Sequence, residues 1–236
     1  MPKITKQIKR LQDKGYPVKN ILDIIQNDDN THTVVYTSPQ FQPCADTFSD
    51  KYAFVGPSVR PVIEQIEKNK EKLIYISMGT VVNDQIGFYK NCIRAFADAE
   101  YQVIMSIGNL VDAKELGEIP ENISVHAFVD QIAVLDKADV FLSHCGMNSV
   151  NESLYYEVPL VMYPQTSEQG GVANRVTQVG AGIRLEKTSP EAIREAVEKV
   201  LSDPTYRKKA ADISDGFKKC PGAKGAADKI LQVCKK

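Results

Sequence analysis

The sequence is short of the features that would mark a special environment. No apolar run approaches the roughly 18 residues of a membrane-spanning helix. The start, Met1-Pro2-Lys3-Ile4-Thr5-Lys6, is charged and amphipathic and has no apolar centre of a secretory leader. Charge of either sign is not in excess: 29 Lys and Arg face 30 Asp and Glu, a formal net charge of −1. There is thus no global basic field to draw in nucleic acid or a membrane surface, and any anion site must be local. Cys44, Cys92, Cys145, Cys220 and Cys234 are odd in number and scattered, with no CxxC pair. That pattern reads as a reduced, cytoplasmic protein with buried thiols, a Cys220–Cys234 link remaining open. Histidine is scarce, at His32, His126 and His144 only, and Asp-x-Asp is absent. General bases are therefore few, and no acidic cluster has the character of a metal site. Internal repeats and low-complexity tracts are absent as well.

What is present is an ordinary globular composition, 43% hydrophobic and 25% charged, over 236 residues. That length buries a core for one domain or one and a half. From Lys72 onward, short apolar runs alternate with helical patterns. The runs are Leu73–Ser77, Tyr101–Ser106, Ile123–Phe128, Val140–Ser143, Leu160–Tyr163 and Ile183–Leu185. Phe88, Cys92, Ile93, Phe96 and Ala97 recur at helical spacing between the first two. Strands apolar on both faces, separated by helices, predict an α/β fold with a parallel sheet covered on both sides. Ser189-Pro190 and Asp203-Pro204 are helix starts, each with a capping side chain followed by proline. Pro221-Gly222-Ala223 precedes a last amphipathic helix. The first fifty residues differ: Lys3–Lys14 and Val18–Gln26 read as helices, Asn27–Asn30 as a polar turn and Thr33–Thr37 as one strand. Ala53–Pro57 leads into a proline-punctuated connector.

The densest signal lies between Phe128 and Leu185. It contains Phe128-Val129-Asp130-Gln131, Ser143-His144-Cys145-Gly146-Met147-Asn148-Ser149-Val150-Asn151-Glu152, Pro164-Gln165-Thr166-Ser167-Glu168-Gln169 and Gly180-Ala181-Gly182. These residues resemble the nucleotide-sugar motif of the family 1 glycosyltransferases, most of all the bacterial macrolide-type enzymes that use UDP-sugars. The resemblance spans about residues 33–236. It implies the C-terminal half of a GT-B fold, a Rossmann-like parallel sheet flanked by helices. Residues 1–57 are then a remnant of the N-terminal acceptor domain with its linker, 58–220 the donor-binding domain and 221–236 a C-terminal helix.

By that resemblance His144, Gly146, Asn148 and Ser149 hold the pyrophosphate. Physically, a strand, a glycine turn and a helix N-terminus converge free N–H groups on an anion, and Gly146 lets the backbone approach closely. Ser149-x-x-Glu152 also fits a capping box. In the family the carboxylate matching Glu152 receives the two ribose hydroxyls, a pairing that suits two donors and two oxygens. Phe128 stands where plant members have a tryptophan stacked on uracil; it also reads as the last core residue of its strand. Val129 corresponds to main-chain readout of the base, and Gln131 to a glutamine near the ribose, although Asp130-Gln131 also simply starts a helix. Glu168 and Gln169 match the acid and amide that bind the hexose, with glutamate for the commoner aspartate. Glu168 also reads as a first-turn acid facing a helix dipole. Ser77, Gly79 and Thr80 correspond to residues near the diphosphate.

The implied reaction is an inverting displacement at the anomeric carbon, with UDP leaving and no metal or other cofactor beyond the UDP-sugar co-substrate. The family's catalytic base is a histidine near the start of the N-terminal domain, and no histidine here has that context, so the base is unassigned. The expectation is a chain that binds the donor, probes no nucleic acid and has no integral membrane segment. Its small hydrophobic acceptor would be held elsewhere, and alone it would transfer little sugar. An exposed apolar face should then favour weak self-association or a partner chain. A split transferase needing an acceptor subunit, an epimerase acting on UDP-N-acetylglucosamine and a plain interaction module are the competing readings.

Overall fold

The computed structural model describes residues 2–25, 31–81 and 83–234. Six strands form one parallel sheet: β3 (Lys72–Ser77), β4 (Tyr101–Ser106), β5 (Ile123–His126), β6 (Val140–Ser143), β7 (Leu160–Met162) and β8 (Gly182–Arg184). Their spatial order is β5-β4-β3-β6-β7-β8, and every neighbouring pair is parallel. The chain therefore builds outward from β3 in one direction and then reverses, placing β3 beside β6 at the point where the order turns. Open parallel sheets leave a crevice at the carboxyl ends of such a pair. Ser77 ends β3 in register with Ser143, which ends β6.

The alternation along β3 explains the two layers. Ile74 and Ile76 face α3 (Ile86–Phe96) and α7 (Pro190–Ser202), joining Phe88, Tyr89, Cys92, Phe96, Ile193 and Val197 in one core. Leu73 and Tyr75 face the opposite layer, with Phe141, Val150, Leu154, Val176 and Phe217. That layer contains α4 (Gln131–Leu135), α5 (Met147–Tyr155), α6 (Ser167–Val179) and α8 (Pro204–Lys218). Burial of each large side chain contributes about 1.5–3 kcal/mol, so both layers are needed to hold the sheet. Helix starts follow the sequence signals. Ser189 accepts from the Ala192 N–H with Pro190 at the first position of α7, and Asp203 does the same for Thr205 in α8. The last helix, α9, spans Gly222–Cys234.

The first part of the chain departs from the sequence expectation in two places. Helix α1 covers Pro2–Gln12, but the second helix shrinks to α2, Leu22–Ile25. The Asp23 carboxylate accepts the backbone N–H groups of Lys19 and Asn20, which holds the residues before it in a turn instead of a helix. Two strands appear instead of one, because Tyr52–Phe54 (β2), read as the entry to the connector, pairs in parallel with Thr33–Val35 (β1). Asn27–Asn30, expected as a turn, lies outside the described residues. The segment after β1 is tied to the main sheet layer. Phe41 is buried edge-on against Phe217, and Arg175 donates to the Phe41 and Gln40 carbonyls at 2.6 and 2.7 Å. All five cysteines are free thiols, so no Cys220–Cys234 bond forms. Among the described residues no helix is long and apolar enough to cross a membrane.

Two glycines give opposite expectations. A Cβ on Gly182 would sit 2.3 Å from the Leu160 carbonyl oxygen, across the β7–β8 pair, where neither backbone can yield. A Cβ on Gly171, inside α6, meets nothing within 4 Å. Urea unfolding should show Gly182→Ala destabilised by about 1–3 kcal/mol or more and Gly171→Ala stabilised by about 0.5–1 kcal/mol.

Candidate functional site

At the β3–β6 crevice lies a cavity of about 580 Å³. Eleven of the residues expected from sequence line it: Ser77, Gly79, Thr80, Phe128, Val129, Gln131, His144, Gly146, Asn148, Ser149 and Glu152. They come from three separate stretches, at or after the ends of β3, β5 and β6, brought together because the carboxyl ends of these parallel strands emerge on one side. A larger hollow of about 1010 Å³ lies at the other end, against the first residues of β3 and β4. It is open, edged by lysines and glutamates, and faces the amino ends of the strands, which is the wrong end for ligand binding in such sheets.

His144 organises the cavity floor. An added Cβ on Gly79 or on Gly146 would stand 2.6 Å from its imidazole. Sequence reasoning gave Gly146 to close approach of a phosphate; the structure gives that space to the His144 ring, with Gly79 on the ring's other contact. Gly79 has a φ of 79°, which glycine adopts without strain. Cys145, between the histidine and Gly146, is held at a φ of 69° with its N–H donated to Ser143 Oγ at 3.1 Å. A left-handed non-glycine residue costs about 1–2 kcal/mol, and here it bends the chain sharply from β6 into α5. The Gly79 turn is fixed from behind by buried Asn83, whose amide donates to the Gly79 carbonyl at 2.9 Å. Gly108, on the turn after β4, makes room for Asn83, since a Cβ there would lie 1.9 Å from its amide nitrogen.

Burial lowers the His144 pKa below its usual value, opposed by the Ser77 backbone and the charge of Glu168. Nδ1 is buried without a hydrogen bond of normal geometry. The ring is therefore neutral near pH 7.

Helix α5 starts next to this ring, at Gly146, with no side-chain cap. The starts of α4, α6, α7 and α8 are all capped, by Asp130, Thr166, Ser189 and Asp203. The first-turn N–H groups of α5 have no partner within the helix, and Met147, Asn148 and Ser149 all line the cavity. The anticipated capping box does not form. Ser149 falls inside the helix, and Glu152 turns to Gln131, whose amide donates to Glu152 Oε2 at 2.5 Å. Phe128 is 57% exposed and lies beyond the end of β5, so it is no core residue; its ring stands at the cavity lip. Asp130 caps α4 by accepting from Ile132 and Ala133, so Gln131 both starts a helix and lines the cavity.

Glu168 and Gln169 stand apart from the cavity lining, at the start of α6. The Gln169 side-chain oxygen Oε1 accepts from the Gln165 and Thr166 backbone N–H groups, completing the capping box with Thr166. Its amide nitrogen and the exposed Glu168 carboxylate keep the polar valences there. Arg60, Tyr75 and Ser106 are among the lining residues that sequence reasoning missed. Arg60, from the connector, pairs with Asp130 and holds that carboxyl below the usual carboxylate range. Tyr75 and Ser106 lie inside strands, where pattern reading sees only core. His126, at the exposed end of β5, and exposed His32 are not among the lining residues.

The depressed His144 pKa ties stability to pH. Above about 6.5 the ring is neutral in folded and unfolded chains alike. Below that, the unfolded chain takes up a proton that the buried ring resists, so stability is lost as pH falls. Urea midpoints at pH 8 and pH 5 should fall further for the wild type than for His144→Gln, which lacks this proton.

Comparison with known proteins agrees with this fold. Residues 91–232 match the family model described as "Erythromycin biosynthesis protein CIII-like, C-terminal domain". The uncharacterized UDP-glucosyltransferase YojK of Bacillus subtilis (strain 168) is 38% identical over 227 residues, 92% of this chain and 55% of that protein. The NDP-glycosyltransferase YjiC of the same organism is 40% identical over 209 residues, 86% of this chain and 53% of its own length. The crystal structure of the kitacinnamycin glycotransferase superposes with a TM-score of 0.85 at 31% identity, covering 97% of this chain and 61% of that one. The chain thus spans about half the length of the curated relatives it matches. It belongs to the erythromycin biosynthesis protein CIII-like C-terminal domain family, the nucleotide-sugar half of the macrolide-type family 1 glycosyltransferases of GT-B fold.

Proposed function

We propose that this chain binds a UDP-sugar and presents it for inverting transfer of a hexose, glucose first among the candidates, to a hydroxyl of a small hydrophobic acceptor. One observation carries the reading. The uncapped α5 N-terminus, the His144 ring, the exposed Phe128 face and the Glu152 carboxylate all border one cavity of about 580 Å³. A nucleoside diphosphate offers each of these a partner. Its phosphates suit the first-turn N–H groups and the imidazole, its base an aromatic face, and its ribose hydroxyls a carboxylate. Relatives named as a UDP-glucosyltransferase and an NDP-glycosyltransferase support the same class of donor.

In the transfer step the bond from the anomeric carbon to the diphosphate oxygen breaks while the acceptor oxygen attacks from the opposite face. Negative charge grows on the leaving phosphate, where fixed N–H dipoles and His144 stabilise it more than in the ground state. We assign this stabilisation to the protein's own groups, with no further cofactor. The acceptor must also lose a proton. We assign His144 to the phosphate, and His126 and His32 are outside the cavity lining, so we assign no base among the described residues. Acceptor binding and proton removal are proposed to come from outside them.

Calorimetry with UDP, UDP-glucose and TDP tests the donor reading. Both uridine ligands should bind without added magnesium, and His144→Ala should weaken them about tenfold, near 1.4 kcal/mol, the size of one hydrogen bond to a charged group. Absence of uridine binding, or equal affinity in the variant, would count against it. Mixed with UDP-glucose and a phenolic acceptor, the chain should yield little glucoside.

A further inference from the structure

Beneath the cavity lies a buried phenol that neither the fold nor phosphate binding requires. Tyr75 is 1% exposed on β3, with its ring stacked on Phe141 at 4.5 Å and 20°. Phenylalanine would fill that place equally well. The hydroxyl instead reaches the cavity floor and donates to Gln131 Oε1 at 3.2 Å. Burial pushes the phenol pKa well up, and the hydroxyls of Ser77 and Ser106 adjoin the same oxygen. The group thus stays protonated and acts as a fixed donor from below.

Gln131 passes this constraint upward. Its Nε2 donates to Glu152 Oε2 at 2.5 Å and lies 3.4 Å from Ser149 Oγ. A side-chain amide has two orientations related by a half-turn. In the other one, Oε1 would face the carboxylate, acceptor against acceptor, and the phenol proton would lose its carbonyl. Glu152, an acceptor only, therefore selects the orientation, and the Tyr75 hydroxyl holds the amide there by donating to Oε1. Without the phenol, the amide carbonyl has no other hydrogen-bond partner among the described residues, and the amide is free to swing with the carboxylate it holds.

We propose that Tyr75 is a positioning residue for ribose recognition: through Gln131 it sets the Glu152 carboxylate so that its remaining valences meet both hydroxyls of a ribonucleotide. The inference rests on the nucleotide reading of the cavity. It separates the ribose from the rest of the ligand, because the Tyr75–Gln131–Glu152 relay does not include His144 or the turn at Gly79.

The test compares UDP with 2′-deoxy-UDP by calorimetry on the full chain. The wild type should prefer UDP. In Tyr75→Phe that preference should shrink roughly threefold to tenfold, as expected for one weakened hydrogen-bond arrangement, with the affinity for 2′-deoxy-UDP changed less than about twofold. Gln131→Leu, at the more accessible cavity surface, should reduce the preference similarly and serves if Tyr75→Phe does not fold. Equal weakening of both ligands would indicate a merely structural phenol. An unchanged ratio in either folded variant, or a wild-type ratio near one, would overturn the inference while leaving UDP binding intact. A wild type that binds no UDP overturns the nucleotide reading, and the inference with it.

Discussion

The packing of the His144 imidazole against two glycines is the constraint on which the candidate site depends. The ring fills the volume that a Cβ at Gly79 or at Gly146 would claim, 2.6 Å away in each case. It therefore joins the turn after β3 to the turn after β6, the two strands where the sheet order reverses. Because Gly146 is also the residue before α5, the ring fixes where that helix begins and where its unpaired N–H groups emerge. The left-handed Cys145 and the buried Asn83 support the same junction from either side. Strain and buried polar atoms concentrate here, as is common where a backbone is shaped for a ligand and not for stability alone.

A second layer of order is polar. Arg60 from the connector pairs with Asp130, Asp130 caps α4, and Gln131 at the head of α4 ties Tyr75 to Glu152. Each link holds the next in a defined orientation, so the carboxylate at the cavity wall inherits its position from a phenol in the core and a guanidinium in a loop. Such a network is useful only if its members are satisfied, since an unpaired buried polar group costs about 1–3 kcal/mol. Neutral His144 fits that economy: burial discourages its charge, yet a neutral ring still offers one N–H to an anion. An anion held in this cavity would be met mainly by backbone dipoles, consistent with a chain of formal net charge −1.

Elements with a local physical cause were legible in the sequence. The strands of the main sheet show as short apolar runs because a covered parallel strand is buried on both faces, as Leu73, Ile74, Tyr75 and Ile76 all are. Ser189-Pro190 and Asp203-Pro204 mark helix starts because capping is a matter of two or three residues. The resemblance to family 1 glycosyltransferases named eleven of the cavity residues for the same reason: they fall in three short stretches whose internal spacing is readable along the chain.

What sequence left open is what depends on distant partners. Ser149-x-x-Glu152 satisfied the capping rule, but the start of α5 is set by Gly146 and the packed histidine, so Glu152 was free to meet Gln131, 21 residues earlier. Gly146 was legible as a place of close approach, but only the fold decided that an imidazole occupies it. Tyr75 and Phe128 exchanged their apparent roles: the strand tyrosine carries a polar contact, and the phenylalanine stands exposed at the lip. Sequence by itself determined the alternating α/β pattern, the helix caps and the family, because those follow from neighbours along the chain. Tertiary structure alone decided which side chains face one another across β3 and β6, because hydrogen bonds and steric exclusion act through space, between residues the sequence keeps far apart.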